Sequence, residues 1–250
     1  AANKKVFCPG YFKIANSRFN CWSEHGHQDM IQAITHSCNV YFYKLGLKLG
    51  IKELSQVAHQ FGFGGLTGVD LPYEGDGIVP SRQWKKDYRN QPWYTGDTVN
   101  TSIGQGYLQV TPLQATVAMA ALANGGYTVK PHLLKAVNDL ETTIISKDYL
   151  GISNQDLQVV RRGLRGVVAQ TSGTAHLLDR LDLAIAGKTG TAQTSGPSHG
   201  WFVGYFPQDK PLFTFCVFLE NAGSSHQAVR VAYRFLRNLK KAGIIGDNYE

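Results

Sequence analysis

Long apolar runs are missing from this chain of 250 residues. None approaches the ~20 residues that a bilayer-spanning helix needs. No signal-peptide pattern opens the sequence either, so any membrane anchor is expected upstream. Metal-finger spacing is missing too: the four cysteines, Cys8, Cys21, Cys38 and Cys216, include no Cys-x-x-Cys pair or His-spaced set, and no zinc site is expected. His25 and His27 have no third ligand nearby and read as polar loop residues. Cys8 and Cys21 frame a short polar loop and could close a disulfide outside the cytoplasm, with free thiols as the other reading. Cys38 and Cys216 fit buried thiols. No metal or other cofactor is expected.

Nucleotide-binding fingerprints fail at single positions. Gly187-Lys188-Thr189 would end a phosphate-binding loop only with glycine at position 182, which is Asp182. Gly62-Phe63-Gly64-Gly65 follows no buried strand, and its third glycine is displaced from the dinucleotide pattern. The net charge of +7 could suit an anionic partner. The cations are spread, however, with Arg161, Arg162 and Arg165 on one amphipathic segment and Arg230, Arg234, Arg237, Lys240 and Lys241 on another. They read as solvated basic faces, and with no nucleic-acid motif beside them a nucleic-acid partner is not expected. Internal repeats and low-complexity segments are also absent.

With 43% hydrophobic residues, the chain can bury one substantial core. After an N-terminal loop, residues 28–49 keep a helical period that breaks around Ser37 to Asn39, and a further helix runs from Ile51 to Phe61. Residues 78–101, with Trp84, Trp93 and Tyr94, read as an irregular aromatic segment. Thr111-Pro112 starts a helix that Gly125-Gly126 ends. Tyr127 to Val137 alternates as a strand or hairpin arm, and Ser153 with Asp156 caps another helix. From 183 the pattern becomes strands: Leu183 to Gln193, Gly200 to Tyr205 and Leu212 to Leu219, covered by the amphipathic segment His226 to Lys241. The expected fold is α/β, an antiparallel sheet flanked by helices, with a mainly helical part over residues 1–182 and a sheet part over 183–250.

Two short motifs carry chemistry. In Lys188-Thr189-Gly190-Thr191, a lysine, two hydroxyls and a glycine lie on one strand edge, which suits a carboxylate held beside a reacting carbonyl. Alone, such residues also occur in a surface turn. In Ser37-Cys38-Asn39, at a break between helices, a short loop could aim both polar side chains at one point. Alone, these are also ordinary cap or turn residues.

Together, the Ser-x-Asn and Lys-Thr-Gly motifs resemble the penicillin-recognising serine acyltransferases, whose third motif is a Ser-x-x-Lys nucleophile. Further stretches, among them Phe19-Asn20-Cys21-Trp22, Ser102-Ile103-Gly104-Gln105-Gly106-Tyr107, Thr111-Pro112-Leu113-Gln114 and His199-Gly200-Trp201-Phe202-Val203-Gly204, are similar to the elongation-type class B enzymes of the penicillin-binding protein 2 group. The likeness runs from about residue 8 to residue 235. It implies the β-lactamase/transpeptidase-like fold and a peptidoglycan D,D-transpeptidase that cross-links stem peptides through a serine acyl-enzyme.

By the same resemblance, Ser37 relays the leaving-group proton, Asn39 holds the substrate amide, and Lys188 tunes the charge around Ser37. Thr189 and Thr191 would bind the terminal carboxylate, with Gly190 keeping the edge open. Implied partners are stem peptides, β-lactams as inhibitors, cell-wall elongation proteins and a glycosyltransferase. The implied location is the outer side of the cytoplasmic membrane, through an N-terminal anchor.

No serine in the chain has lysine three residues on: Ser17 meets Asn20, Ser37 meets Val40 and Ser81 meets Trp84. The resemblance therefore implies the C-terminal portion of such a domain, lacking its N-terminal part, with its nucleophile upstream. A degenerate scaffold or β-lactam sensor, or a β-lactamase or D,D-carboxypeptidase of the same fold, are the alternatives.

Overall fold

In the computed structural model, residues 3–137, 140–141 and 148–246 are described. The expected N-terminal loop is built of four short strands, β1 (Val6–Cys8), β2 (Tyr11–Ile14), β3 (Ser17–Asn20) and β4 (Gly26–Gln28). β1 pairs with β4, and β2 with β3, both antiparallel. Strands of three or four residues are too short for a period of two to stand out in the sequence. Helix α1 (Met30–Thr35) follows at once. Its N-cap Asp29 accepts from the Gln32 amide at 2.9 Å, and the Gln32 side chain accepts from the Asp29 amide at 3.0 Å. Helix α2 (Asn39–Gln60) carries a break at Gly50, φ 79° and ψ 165°, one residue before the expected second helix.

Two compact units divide the chain: Leu45–Leu157 is one, and Ala1–Lys44 with Gln158–Glu250 the other. These bounds differ from a cut at residue 182. Within Leu45–Leu157, the segment expected to be irregular contains two helices, α3 (Arg82–Arg89) and α4 (Thr95–Thr101). Ser81 caps the first through its hydroxyl, which accepts from the Trp84 amide at 3.0 Å. Asp97 ties the second to the first, accepting from the Tyr94 amide at 2.7 Å and from the buried Lys85 ammonium at 2.6 Å. A cation and a turn pair thus stabilise helices that lack a long apolar period. Helix α5 (Pro112–Ala123) has the expected Thr111 cap and ends at Asn124. Past it, the expected strand of 127–137 is reduced to a single bridge, Tyr127 to Tyr149, and β5 (Ala136–Val137) paired with β6 (Leu140–Glu141).

Helix α6 (Asn154–Ala169) is capped by Ser153, whose hydroxyl accepts from the Asp156 amide at 3.1 Å. Three antiparallel strands follow in spatial order: β7 (Ala186–Ala192), β8 (His199–Phe206) and β9 (Phe213–Leu219). β7 starts three residues later than the apolar run suggests, because Asp182 and Ala184 take positive φ of 53° and 47° and turn the chain. Helix α7 (Ser225–Lys241) packs on all three strands and buries Ala228, Val229, Ala232 and Leu236. Arg165, expected on a solvated face, is instead half-buried and anchors the approach to β7: it pairs with Asp179 at 2.9 Å and donates to the Ile185 carbonyl at 3.1 Å.

Candidate active site and metal centre

Helix α1 lies unusually close to α6, and glycines make that possible. A Cβ at Gly163 would stand 2.7 Å from the Cβ of Ile34, and one at Gly166 would overlap the Thr35 hydroxyl. Thr35 in turn donates to the Gly163 carbonyl at 3.3 Å. The end of α1 is therefore held at fixed height against α6. There the Ser37 amide donates to the Ile34 carbonyl (3.2 Å) and the Cys38 amide to the Ala33 carbonyl (2.9 Å). This is a Schellman closure, in which the left-handed position is usually glycine. Ser37 occupies it with φ 54°.

Across 151 residues of sequence, the Lys188 ammonium donates to the Ser37 hydroxyl at 2.8 Å and to the Thr189 carbonyl at 3.1 Å. Desolvation lowers the Lys188 pKa to about 8. Asn39 opens α2, and its side-chain amide donates to the Asn20 carbonyl at 3.3 Å. The three residues expected to act in catalysis thus lie in one compact unit, with Lys188 and Ser37 in direct contact.

Strand alternation puts Thr189 and Thr191 on the face of β7 opposite Lys188 and Gly190. The two threonines differ in their surroundings. Thr189 is buried, and its hydroxyl shares a hydrogen bond with that of Thr174 at 2.7 Å. That bond engages one of the hydroxyl's hydrogen-bonding positions. Thr191 is exposed, and its hydroxyl oxygen accepts from the Ser225 amide in the first turn of α7 at 3.1 Å. Gly190 lies opposite Trp201 on β8, and a Cβ there would come 3.3 Å from that of Trp201.

A second constellation is not anticipated from the sequence. The thiols of Cys8, Cys21 and Cys38 and a ring nitrogen of His25 all lie within 4.8 Å of one another. Cys8 and Cys21 are free thiols. The His25 Nδ1 stands 3.6 Å from the Cys8 sulfur and 3.4 Å from that of Cys21. A tetrahedral zinc with ordinary Zn–S and Zn–N bonds requires S···N edges of about 3.6 Å. The donor set, three soft thiols and an imidazole, fits zinc in chemistry, and the two S···N distances to His25 match such edges. The neighbouring Cys38 thiol holds the Cys21 thiol well below its usual range, and the same contact, with burial, pushes the Cys38 thiol up. The four donors come from β1, the residue after β3, the loop before β4, and the α1–α2 junction; only Cys21 and His25, four residues apart, form a ligand pair within one short window. Cys216 lies apart, its thiol pushed up to about 11 by burial.

Known proteins share this arrangement of chain. The family described as "Penicillin binding protein transpeptidase domain" matches residues 1–239. Among curated relatives, Peptidoglycan D,D-transpeptidase MrdA of Haemophilus influenzae is 36% identical over 247 residues, covering 88% of this chain and 38% of that protein. The Acinetobacter baumannii protein of the same name is 36% identical over 249 residues, covering 90% of this chain and 37% of that protein. Penicillin-binding protein PBP2 of Helicobacter pylori, solved in complex with MreC, superposes with a TM-score of 0.88 at 32% identity, covering 98% of this chain and 46% of that one. Pseudomonas aeruginosa PBP2, solved with WCK 5153, gives 0.88 at 33% identity, with 98% and 55% covered. This chain spans less than half the length of these curated relatives. A match over nearly every residue, on a fold whose sheet edge meets the α1–α2 turn, makes this chain a member of the penicillin-binding protein transpeptidase domain family.

Proposed function

We propose that these 250 residues carry the substrate-holding half of a peptidoglycan D,D-transpeptidase site, and that a Ser-x-x-Lys nucleophile from outside them completes it. The 2.8 Å contact between Lys188 and Ser37 carries the proposal, because it joins the two motifs in one charge-relay geometry. The incoming serine attacks the penultimate D-alanine carbonyl, and the bond to the terminal D-alanine nitrogen breaks. The attacking serine gives its proton to the lysine of its own motif, Ser37 passes a proton to the departing nitrogen and regains one from that lysine, and the Lys188 ammonium stabilises the Ser37 hydroxyl. An amine of a neighbouring strand then attacks the acyl-enzyme, forms the new peptide bond and returns its proton through the same relay. The Thr191 O–H, beside the positive end of α7, suits the terminal carboxylate. Asn39 holds the substrate amide, Gly190 lets the peptide lie against β7, and Thr189 fixes the strand through Thr174.

On this reading the protein works on stem peptides outside the cytoplasmic membrane, with β-lactams as inhibitors and elongation proteins and a glycosyltransferase as partners. Among the described residues, no helix is long and apolar enough to cross a membrane, so attachment would come from a segment outside them. Fluorescent penicillin tests the proposal. The whole gene product should be labelled, Ser37→Ala should slow labelling about 10²–10³-fold as loss of a proton relay does, and the 250 residues alone should stay unlabelled. Covalent labelling of the 250 residues alone would refute it.

We also infer that Cys8, Cys21, His25 and Cys38 hold one zinc ion in a closed structural site, on the strength of their edge lengths. Zinc there would neutralise the thiolates and fix β1, the β3–β4 loop and the α1–α2 junction together. Native mass spectrometry of the purified chain should show one zinc per molecule. A folded chain that carries none and takes up none would rule the site out.

A further inference from the structure

We propose that Trp22 is the positioning residue that holds Ser37 in its left-handed conformation, a proposal that rests on the acyl-transfer reading of Ser37. A residue with a Cβ does not settle at φ 54° by preference. The Schellman closure fixes the amides around Ser37, but it leaves the His36 and Ser37 carbonyls without helical partners. Both accept from one donor: the Trp22 Nε1–H lies 3.0 Å from the His36 oxygen and 3.1 Å from the Ser37 oxygen. These carbonyls belong to the two peptide planes that flank the Ser37 Cα. Holding both planes on one N–H sets φ and ψ of Ser37 together, and with them the direction of its hydroxyl toward Lys188.

Trp22 is not there to fill a core, since it is 61% exposed. Its ring instead rests edge-on against His25, with centroids 5.0 Å apart. Its two predecessors grip the other side of the same turn. The Cys21 sulfur accepts from the Asn39 amide at 3.3 Å. The Asn20 carbonyl accepts from the Asn39 side chain at 3.3 Å and from the Tyr43 hydroxyl at 3.0 Å. Residues Asn20 to Trp22 thus form a clasp over Ser37 to Asn39.

The test is a double-mutant cycle read by amide hydrogen exchange in the 250-residue chain. Trp22→Phe should speed exchange of the Ser37, Cys38 and Asn39 amides about fivefold, the factor of one net hydrogen bond. Exchange at Leu164 and Val167 in α6 should not change. The Lys188 titration, followed by NMR of its ε-carbon, should move up from about 8 as the turn loosens. In a Ser37→Gly background, where the backbone takes positive φ freely, Trp22→Phe should change exchange at the turn by less than twofold. Equal effects in both backgrounds, exchange that quickens across α6 as well, or an unmoved Lys188 titration would overturn the assignment. None of these readouts depends on penicillin labelling, so failure of this assignment is distinguishable from failure of the acyl-transfer reading.

Discussion

Replacing Lys188 by methionine should make this protein more stable at neutral pH and less stable at alkaline pH. Desolvation lowers the lysine's pKa from 10.5 to about 8. At 1.36 kcal/mol per unit, holding the charged form in the fold costs about 3 kcal/mol below pH 8. Against this stand its bonds to the Ser37 hydroxyl and the Thr189 carbonyl, together about 2 kcal/mol. Methionine keeps the length of the stem and carries no charge. The net gain at pH 7 is therefore about 1 kcal/mol. Between pH 8 and 10.5 the unfolded chain keeps a proton on this lysine that the folded chain has released, so wild-type stability rises with pH relative to the variant. By pH 10 the charge cost has fallen below about 1 kcal/mol, and the hydrogen bonds leave wild type ahead by about 1 kcal/mol. Urea denaturation followed by tryptophan fluorescence at pH 7 and pH 10 measures both arms. A variant that is less stable at pH 7 by the same margin as at pH 10 would refute the reasoning, because it would mean that the ammonium suffers no desolvation. Such a gain would come with loss of function, as expected for a group held in place for chemistry.

Gly166→Ala should destabilise the chain by about 1–2 kcal/mol. Overpacking against Thr35 costs about 1–3 kcal/mol, and the better helix propensity of alanine returns at most about 1. A midpoint in urea equal to or above wild type would show that α1 can move away freely. Chelation of the inferred zinc should lower thermal stability and quicken exchange at Cys38, and added zinc should restore both; an unchanged melting curve in chelator would argue against a structural role.

What the sequence shows well is what is local. Thr111, Pro112 and Gln114 announce α5 because a cap, a fixed φ and a reciprocal amide lie within four residues. The strands around Lys188 are legible because their apolar runs are bounded by glycine, proline and serine turns, and the break at Ser37 shows in the helical period. Helices α3 and α4 are not legible, because a buried Lys85–Asp97 pair stabilises them rather than an apolar face. The metal-type cluster is hidden because its four donors converge only after two strand pairs and a helix junction have formed. The Thr189 and Thr191 hydroxyls look alike in the motif. Only the packing of Thr174 against one and the start of α7 against the other tells them apart.

The middle residue of Ser37-Cys38-Asn39 is one of the clustered thiols, and that position imposes an order on biogenesis. If the protein works outside the cytoplasmic membrane, as proposed above, three thiols within 4.8 Å would be substrates for disulfide formation by a dithiol oxidase. On the zinc reading, metallation would then precede oxidation as the chain emerges, with the ion acting as a protecting group for the sulfurs. Competence of the turn that presents Ser37 would then depend on metal supply at the moment of folding, a dependence that no residue in direct reach of substrate reveals.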